Sequence, residues 1–254
     1  MTIGYDALGT GPQKVLVLHD WMSAATSYEG IRPFLDTDRF SYTFMDHRGY
    51  GRSRAEVGTN TAREAAGDVL ALADRLGWGR FDLVAHSMSA MVAQRAVLDA
   101  PDRIRSLAAI TPVGAGGVPL DADGVALFTS AATSDVAWQI VAKMVTSDRL
   151  PQRWYDSKLR QFRESVDPRA FLRFLDMWTK TDFSAEMIKL KTPALVLVGR
   201  HDFMAFSEQA MKQTFGRWFS PCEITVLEGA GHYPMAETPL QLVSALEAHL
   251  RRQD

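Results

Sequence analysis

Short apolar runs of four or five residues alternate along this chain with longer stretches in which apolar residues return every third or fourth position. The short runs are Lys14 to Leu18, Tyr42 to Met45, Phe81 to Val84, Ser106 to Ile110, Ala194 to Val198 and Glu223 to Leu227. Half of them are apolar throughout beyond their first residue, which is the pattern of strands covered on both faces. Between them, Thr61 to Leu76 places Ala65, Val69, Leu72, Ala73 and Leu76 on one helical stripe, and Pro239 to Arg251 forms a terminal helix. Strands alternating with helices predict an α/β fold with a mostly parallel central sheet and helices on both faces. The residues up to Gly11 are expected to add an antiparallel edge.

The alternation fails between residues 113 and 183, where no strand pattern occurs. Asp135 to Val145, Arg153 to Phe162 and Pro168 to Lys180 read as helices carrying Trp138, Trp154, Tyr155, Phe171, Phe174, Met177 and Trp178. This segment is expected to be an inserted helical cap, with residues 1–112 and 184–254 forming the core. Val113 to Pro119 reads as the linker into it, and its glycines do not follow the dinucleotide fingerprint.

Composition narrows the function classes. A chain of 254 residues, 46% hydrophobic and 23% charged, can bury one large core. A net charge of -2 and the absence of basic runs argue against nucleic acid as a partner. The single cysteine, Cys222, has no internal partner for a disulfide, the first residues have no basic and apolar leader pattern, and no apolar run approaches the roughly 18 residues that span a bilayer. The expectation is a cytoplasmic protein acting on a small molecule, with no membrane partner and with oligomeric state open.

The candidate chemistry starts at Ser87. It lies where the strand Phe81 to Val84 gives way to a helical pattern, between the small residues Ala85 and Ser89. Small residues two before and two after a serine let strand and helix meet at a sharp turn that holds the hydroxyl out. A nucleophilic serine needs a histidine base and a carboxylate to orient it. Asp202 follows the strand ending at Val198, and His232 sits in the loop Glu228 to Pro234 after the next strand. Both positions lie beyond strand carboxyl ends, where sites in open α/β sheets are found.

The order Ser87, Asp202, His232, the strand and loop Val15 to Trp21, and the run Asp46-His47-Arg48-Gly49-Tyr50-Gly51-Arg52-Ser53 together resemble the α/β-hydrolase superfamily. The elbow has neither of the usual glycines, and Asp20 stands where the first loop usually has glycine. The resemblance implies that Ser87 is the nucleophile, His232 the base and Asp202 the acid, with the backbone N–H groups of Trp21 and Met88 as oxyanion donors. Trp21, Trp178, Phe203 and Tyr233 are expected to contact substrate. No metal or organic cofactor is implied. Asp20 is expected to be structural, turned outward or bonded to a neighbour such as His19 or Arg48, because an unpaired anion there would oppose the oxyanion; use in the reaction is the alternative.

Other residues are weighed beside these. His86 is expected to be structural, His19 and His47 to tie loops together, His201 to point elsewhere and His249 to lie at the surface. Asp182 and Glu237 are rivals for the acid role. The expected reaction is hydrolysis of a small to medium apolar carboxylic ester or lactone through an acyl-enzyme. Carbon–carbon bond hydrolysis, perhydrolysis, cofactor-free dioxygenation, and a ligand receptor with weak hydrolase activity remain open. Haloalkane dehalogenation is disfavoured, since that reaction needs an aspartate where this chain has Ser87.

Overall fold

The computed structural model describes residues 2–252; Met1, Gln253 and Asp254, included in the expected core, lie outside the described residues. The elements run β1 (Tyr5–Leu8), β2 (Gln13–Leu18), β3 (Phe40–Met45), α1 (Ala62–Arg75), β4 (Phe81–His86), α2 (Met88–Asp99) and β5 (Ile104–Ile110). Four helices follow: α3 (Ala122–Ser130), α4 (Asp135–Val145), α5 (Gln152–Ser165) and α6 (Pro168–Lys180). The chain then returns through β6 (Ala194–Gly199), α7 (Glu208–Gln213), α8 (Phe215–Trp218), β7 (Cys222–Leu227), α9 (Pro234–Glu237) and α10 (Pro239–Arg251).

The seven strands form one sheet in the order β1-β3-β2-β4-β5-β6-β7, parallel throughout except for β1, which pairs antiparallel with β3. The expected antiparallel edge is therefore present. Every expected strand forms, but several are longer at one end. β4 runs on to His86, so the sheet reaches the residue before Ser87. β5 begins at Ile104, and its charged Arg105 pairs with the fully buried carboxylate of Asp82, which masked the strand start in the sequence. No single helix among the described residues is long and apolar enough to cross a membrane.

Helix ends follow ordinary capping chemistry. Thr61 accepts from the Glu64 N–H and starts α1, while Asp167 accepts from the N–H groups of Arg169 and Ala170 ahead of Pro168 and starts α6. α6 buries Ala170, Phe171, Phe174, Leu175, Met177 and Trp178 at three- and four-residue steps. α3 is a helix that the apolar pattern did not reveal: Asp121 caps it, and only Phe128 is buried within it. His249 departs from expectation: it faces inward from α10 and is 3% exposed. Burial, with Arg252 nearby, pulls its imidazole down to about 4.

The run from Asp46 to Ser53 joins the inserted helices to the sheet. Asp46 accepts from the N–H groups of Ala25 and Arg52, and Ser53 Oγ accepts from Gly4 N–H at 2.8 Å. Gly51 sits at φ 47°, and a Cβ there would lie 2.3 Å from the Asp46 carboxylate. Gly49, at φ 82°, leaves no room either, because a Cβ would meet Ala170 of α6. Between them Tyr50 forms a bridge with Val166, and Asp167 N–H donates to the Gly49 carbonyl at 2.7 Å. Arg48 is bound by Asp68 and Glu64 of α1.

Candidate active site

Ser87 connects β4 to α2 with φ 55° and ψ -120°, a conformation sparsely populated by non-glycine residues. Backbone hydrogen bonds hold it there: Ser87 N–H donates to Ile110 O at 2.9 Å, and its carbonyl accepts from the N–H groups of Val113 and Ala90, each at 3.0 Å. The turn aims the hydroxyl at His232, whose Nε2 lies 2.8 Å from Oγ. On the other side of the ring, Nδ1 lies 2.7 Å from Asp202 Oδ2. Asp202 Oδ1 accepts from the Phe203 N–H at 2.8 Å, which fixes the carboxylate after β6. The three residues thus form one hydrogen-bonded chain, 145 residues apart in sequence between Ser87 and His232.

The electrostatics of His232 follow from this placement. Burial disfavours its cation, but the charge and hydrogen bond of Asp202, with Asp20 and Glu237 adding to them, outweigh burial and raise the imidazole above its ordinary value. Glu237 has no contact with the ring nitrogens; it accepts from the N–H groups of Gly231 and Tyr233 and so shapes the loop carrying His232. Asp182 is exposed and accepts from Ser184 N–H. Neither rival is placed as the orienting acid. His201 is exposed and contributes its carbonyl to Ser147 Oγ.

The other histidines near the site tie loops together. His86 Nε2 lies 2.7 Å from the His232 carbonyl, which also accepts from Thr111 Oγ1. His19 Nδ1 donates to the Asp20 carbonyl, and its Nε2 accepts from His47 N–H at 3.1 Å, so this ring is neutral. Burial lowers His19 despite the nearby Asp46 and Asp20 charges. Ser89 donates to the His19 carbonyl and stands 2.8 Å from His47 Nε2. The small residue after the elbow therefore also links α2 to two loops, a role its size alone did not disclose.

Ser87 opens into a cavity of about 480 Å³ between the sheet and the inserted helices. Trp21, Trp178, Phe203 and Tyr233, the four expected contacts, all line it. Trp21 is held by stacking on Phe171 at 3.8 Å and by an Nε1–H donation to the Phe171 carbonyl at 2.8 Å. The wall is apolar apart from Asp20, Asp121, Ser87 and His232, and no lysine or arginine is part of it. Met88 supplies the first backbone N–H of α2, beyond the reach of any intrahelical acceptor.

Asp20 is bonded to neighbours, but not to the two named in the expectation: its side chain touches neither the His19 nor the Arg48 side chain and is buried at 1% exposure. Its partners are Met22 N–H, Ser23, Ser27 and Tyr233. Arg48 is instead paired with Asp68 and Glu64.

Residues 14–239 match the family model described as the alpha/beta hydrolase fold. Over 97% of its length the chain is 26% identical to 99% of a pimeloyl-[acyl-carrier protein] methyl ester esterase from Nitrosomonas europaea. Over 93% it is 26% identical to 86% of a 2-hydroxy-6-oxononadienedioate/2-hydroxy-6-oxononatrienedioate hydrolase from Burkholderia vietnamiensis. A shorter match, 30% identical over 45% of the chain, takes in only 30% of the dihydrolipoyllysine-residue acetyltransferase component of the acetoin cleaving system of Cupriavidus necator. Among solved structures, the enol-lactonase from Burkholderia xenovorans superposes with a TM-score of 0.84 at 22% identity, covering 98% of this chain and 96% of that one. The chain belongs to the α/β-hydrolase fold family.

Proposed function

We propose that the chain is a serine hydrolase that cleaves an uncharged, apolar carboxylic ester or lactone through an acyl-enzyme. The observation that carries this reading is the Ser87–His232–Asp202 hydrogen-bonded chain opening into an apolar cavity. Ser87 Oγ attacks the acyl carbon as His232 Nε2 takes its proton, and Asp202 holds the ring and balances the imidazolium. The tetrahedral oxygen is met by the N–H groups of Trp21 and Met88. His232 returns its proton to the departing alcohol oxygen, then activates water to release the acid. The inserted helices serve as a cap that excludes bulk water from this cycle.

The cavity wall supports the choice of substrate. A dioate such as the one named for the Burkholderia vietnamiensis relative brings two carboxylates, and here it would meet Asp20 and Asp121 with no cation in the wall. A neutral acyl group of modest length meets Trp21, Phe128, Val141 and Trp178 instead. The reading is tested with p-nitrophenyl esters of graded chain length and a fluorophosphonate label. Labelling of Ser87 with loss of ester turnover is expected; a wild-type protein that hydrolyses esters while Ser87 stays unlabelled would overturn it.

A further inference from the structure

Asp20 is a carboxylate buried at 1% exposure. Its Oδ1 accepts from Met22 N–H at 2.7 Å and from the Tyr233 hydroxyl at 2.9 Å. Its Oδ2 accepts from the Ser23 hydroxyl, lies 3.4 Å from Ser27 Oγ and faces His86 Nδ1 at 3.5 Å. These contacts come from three separate segments. Met22 and Ser23 belong to the loop that carries Trp21, His86 is the residue before Ser87, and Tyr233 is the residue after His232. The far side of His86 reaches the His232 carbonyl, so the same network closes on the backbone of the base.

We propose that Asp20 is a positioning residue for the reaction, a single carboxylate that clamps the Trp21 loop, the elbow at His86 and the His232 loop in their working arrangement. The role rests on the hydrolase reading given above. A negative charge behind an oxyanion site works against the transition state, so the advantage of Asp20 lies in what it orients. Burial of a carboxylate costs several kcal/mol unless donors satisfy it, and here the donors come from the Trp21 loop (Met22 N–H, Ser23) and the His232 loop (Tyr233), while the third segment packs the His86 ring against the carboxylate at 3.5 Å. Burial pushes the Asp20 carboxyl up, but the facing His86 ring, the Lys158 ammonium and the Ser23 hydroxyl outweigh it and hold the group well below the usual carboxylate range.

The neighbourhood determines how a substitution reads out. Titratable groups that face Asp20 are His86 on β4, Tyr28 and Tyr50 on the adjoining loops, Lys158 on α5, Tyr233 beside the base, and His19. His232 feels Asp202, Asp20 and Glu237, with the His86 ring 5.3 Å away. Asp20→Asn keeps an oxygen for Met22 N–H and Tyr233 but removes an anion from beside the base. Asp20→Ala removes the clamp altogether.

The test compares the two variants by steady-state kinetics across pH, by the rate of Ser87 labelling with a fluorophosphonate, and by NMR titration of the His232 imidazole. Asp20→Ala is expected to lose about a hundredfold in kcat with KM changed less than about threefold, and to label Ser87 more slowly. Asp20→Asn is expected to recover most of that loss, to titrate His232 at lower pH and to shift the acidic limb of kcat/KM the same way. Normal kcat in Asp20→Ala, or Asp20→Asn as inactive as Asp20→Ala with His232 titrating as in wild type, overturns the role while Ser87 still labels. If Asp20→Ala does not fold, the Asp20→Asn titration decides. A wild-type Ser87 that takes no label overturns the hydrolase reading and the role together, and is told apart by that label.

Discussion

The backbone at Ser87 is held in a conformation that costs about 1–3 kcal/mol for a residue with a side chain, and the hydroxyl it projects is the atom on which the proposed chemistry depends. Ser87→Ala is expected to fold and to lose about a million-fold in kcat, measured with the best p-nitrophenyl ester. His232 sets the pH dependence. Its imidazole is raised above the ordinary 6.5, and only the neutral ring accepts the serine proton, so kcat/KM is expected to rise with pH through a midpoint above 6.5. Asp202→Asn removes the largest of the influences that raise it, so that midpoint is expected to fall along with the rate. A pH profile flat from 5 to 8 under chemistry-limited conditions would contradict both. That Ser87, Asp202 and His232 come together was legible in the sequence, because residue type, chain order and position after a strand pointed to it. The partners of Asp20 were not, since its contact with Tyr233 spans 213 residues and no local pattern announces it. Glu237 was noticed only as a rival acid, and its work on the N–H groups of Gly231 and Tyr233 appears once the loop is folded.

Among the elements, the loop from Asp46 to Ser53 carries the most specific demands. Gly51→Ala would bring a methyl group onto the Asp46 carboxylate at a positive φ, breaking its bonds to Ala25 and Arg52. A loss of about 1–3 kcal/mol in unfolding free energy is expected, measured by denaturant titration, and unchanged stability would show that the loop yields. The central strands and α1 were readable because burial on both faces, or along one helical stripe, leaves a mark in every few residues. Strand ends were less readable: Arg105 enters β5 only because Asp82 on the neighbouring strand neutralises it. α3 was missed for a related reason. Phe128 is its one buried residue, so it has no apolar stripe, and the Asp121 cap begins a helix whose remaining face lies open. The terminal helix was placed correctly but His249 was not: it follows Leu242 and Leu246 on the buried stripe, and a titratable side chain hides that position in a reading by residue type.

On the scale of the whole molecule, three inward-facing imidazoles make folding sensitive to acid. His19, His47 and His249 are all lowered, first by burial, below the 6.5 of an unfolded chain. Between that value and the folded ones the unfolded chain binds more protons, so stability is full above about pH 6.5 and drains as pH falls, at about 1.4 kcal/mol per unit of depression. His232, raised instead, contributes stability that is present below 6.5 and fades as pH climbs through its folded value. The melting temperature is therefore expected to drop between pH 7 and 5, and His249→Gln to flatten that drop; a melting temperature constant over this range would refute the assignment. The inserted helices are attached unevenly. α6 is fastened through Trp21 on Phe171, the Tyr50–Val166 bridge and the Asp167–Gly49 hydrogen bond, whereas α3 buries only Phe128 fully, with Leu127 partly covered beside it. Amide exchange should accordingly be fast along α3 and slow along α6. The chamber over Ser87 is then expected to have one fixed jamb and one swinging leaf: bulky substrates would pass on the α3 side, and a staple that pins α3 is expected to slow their release before it slows the bond cleavage itself.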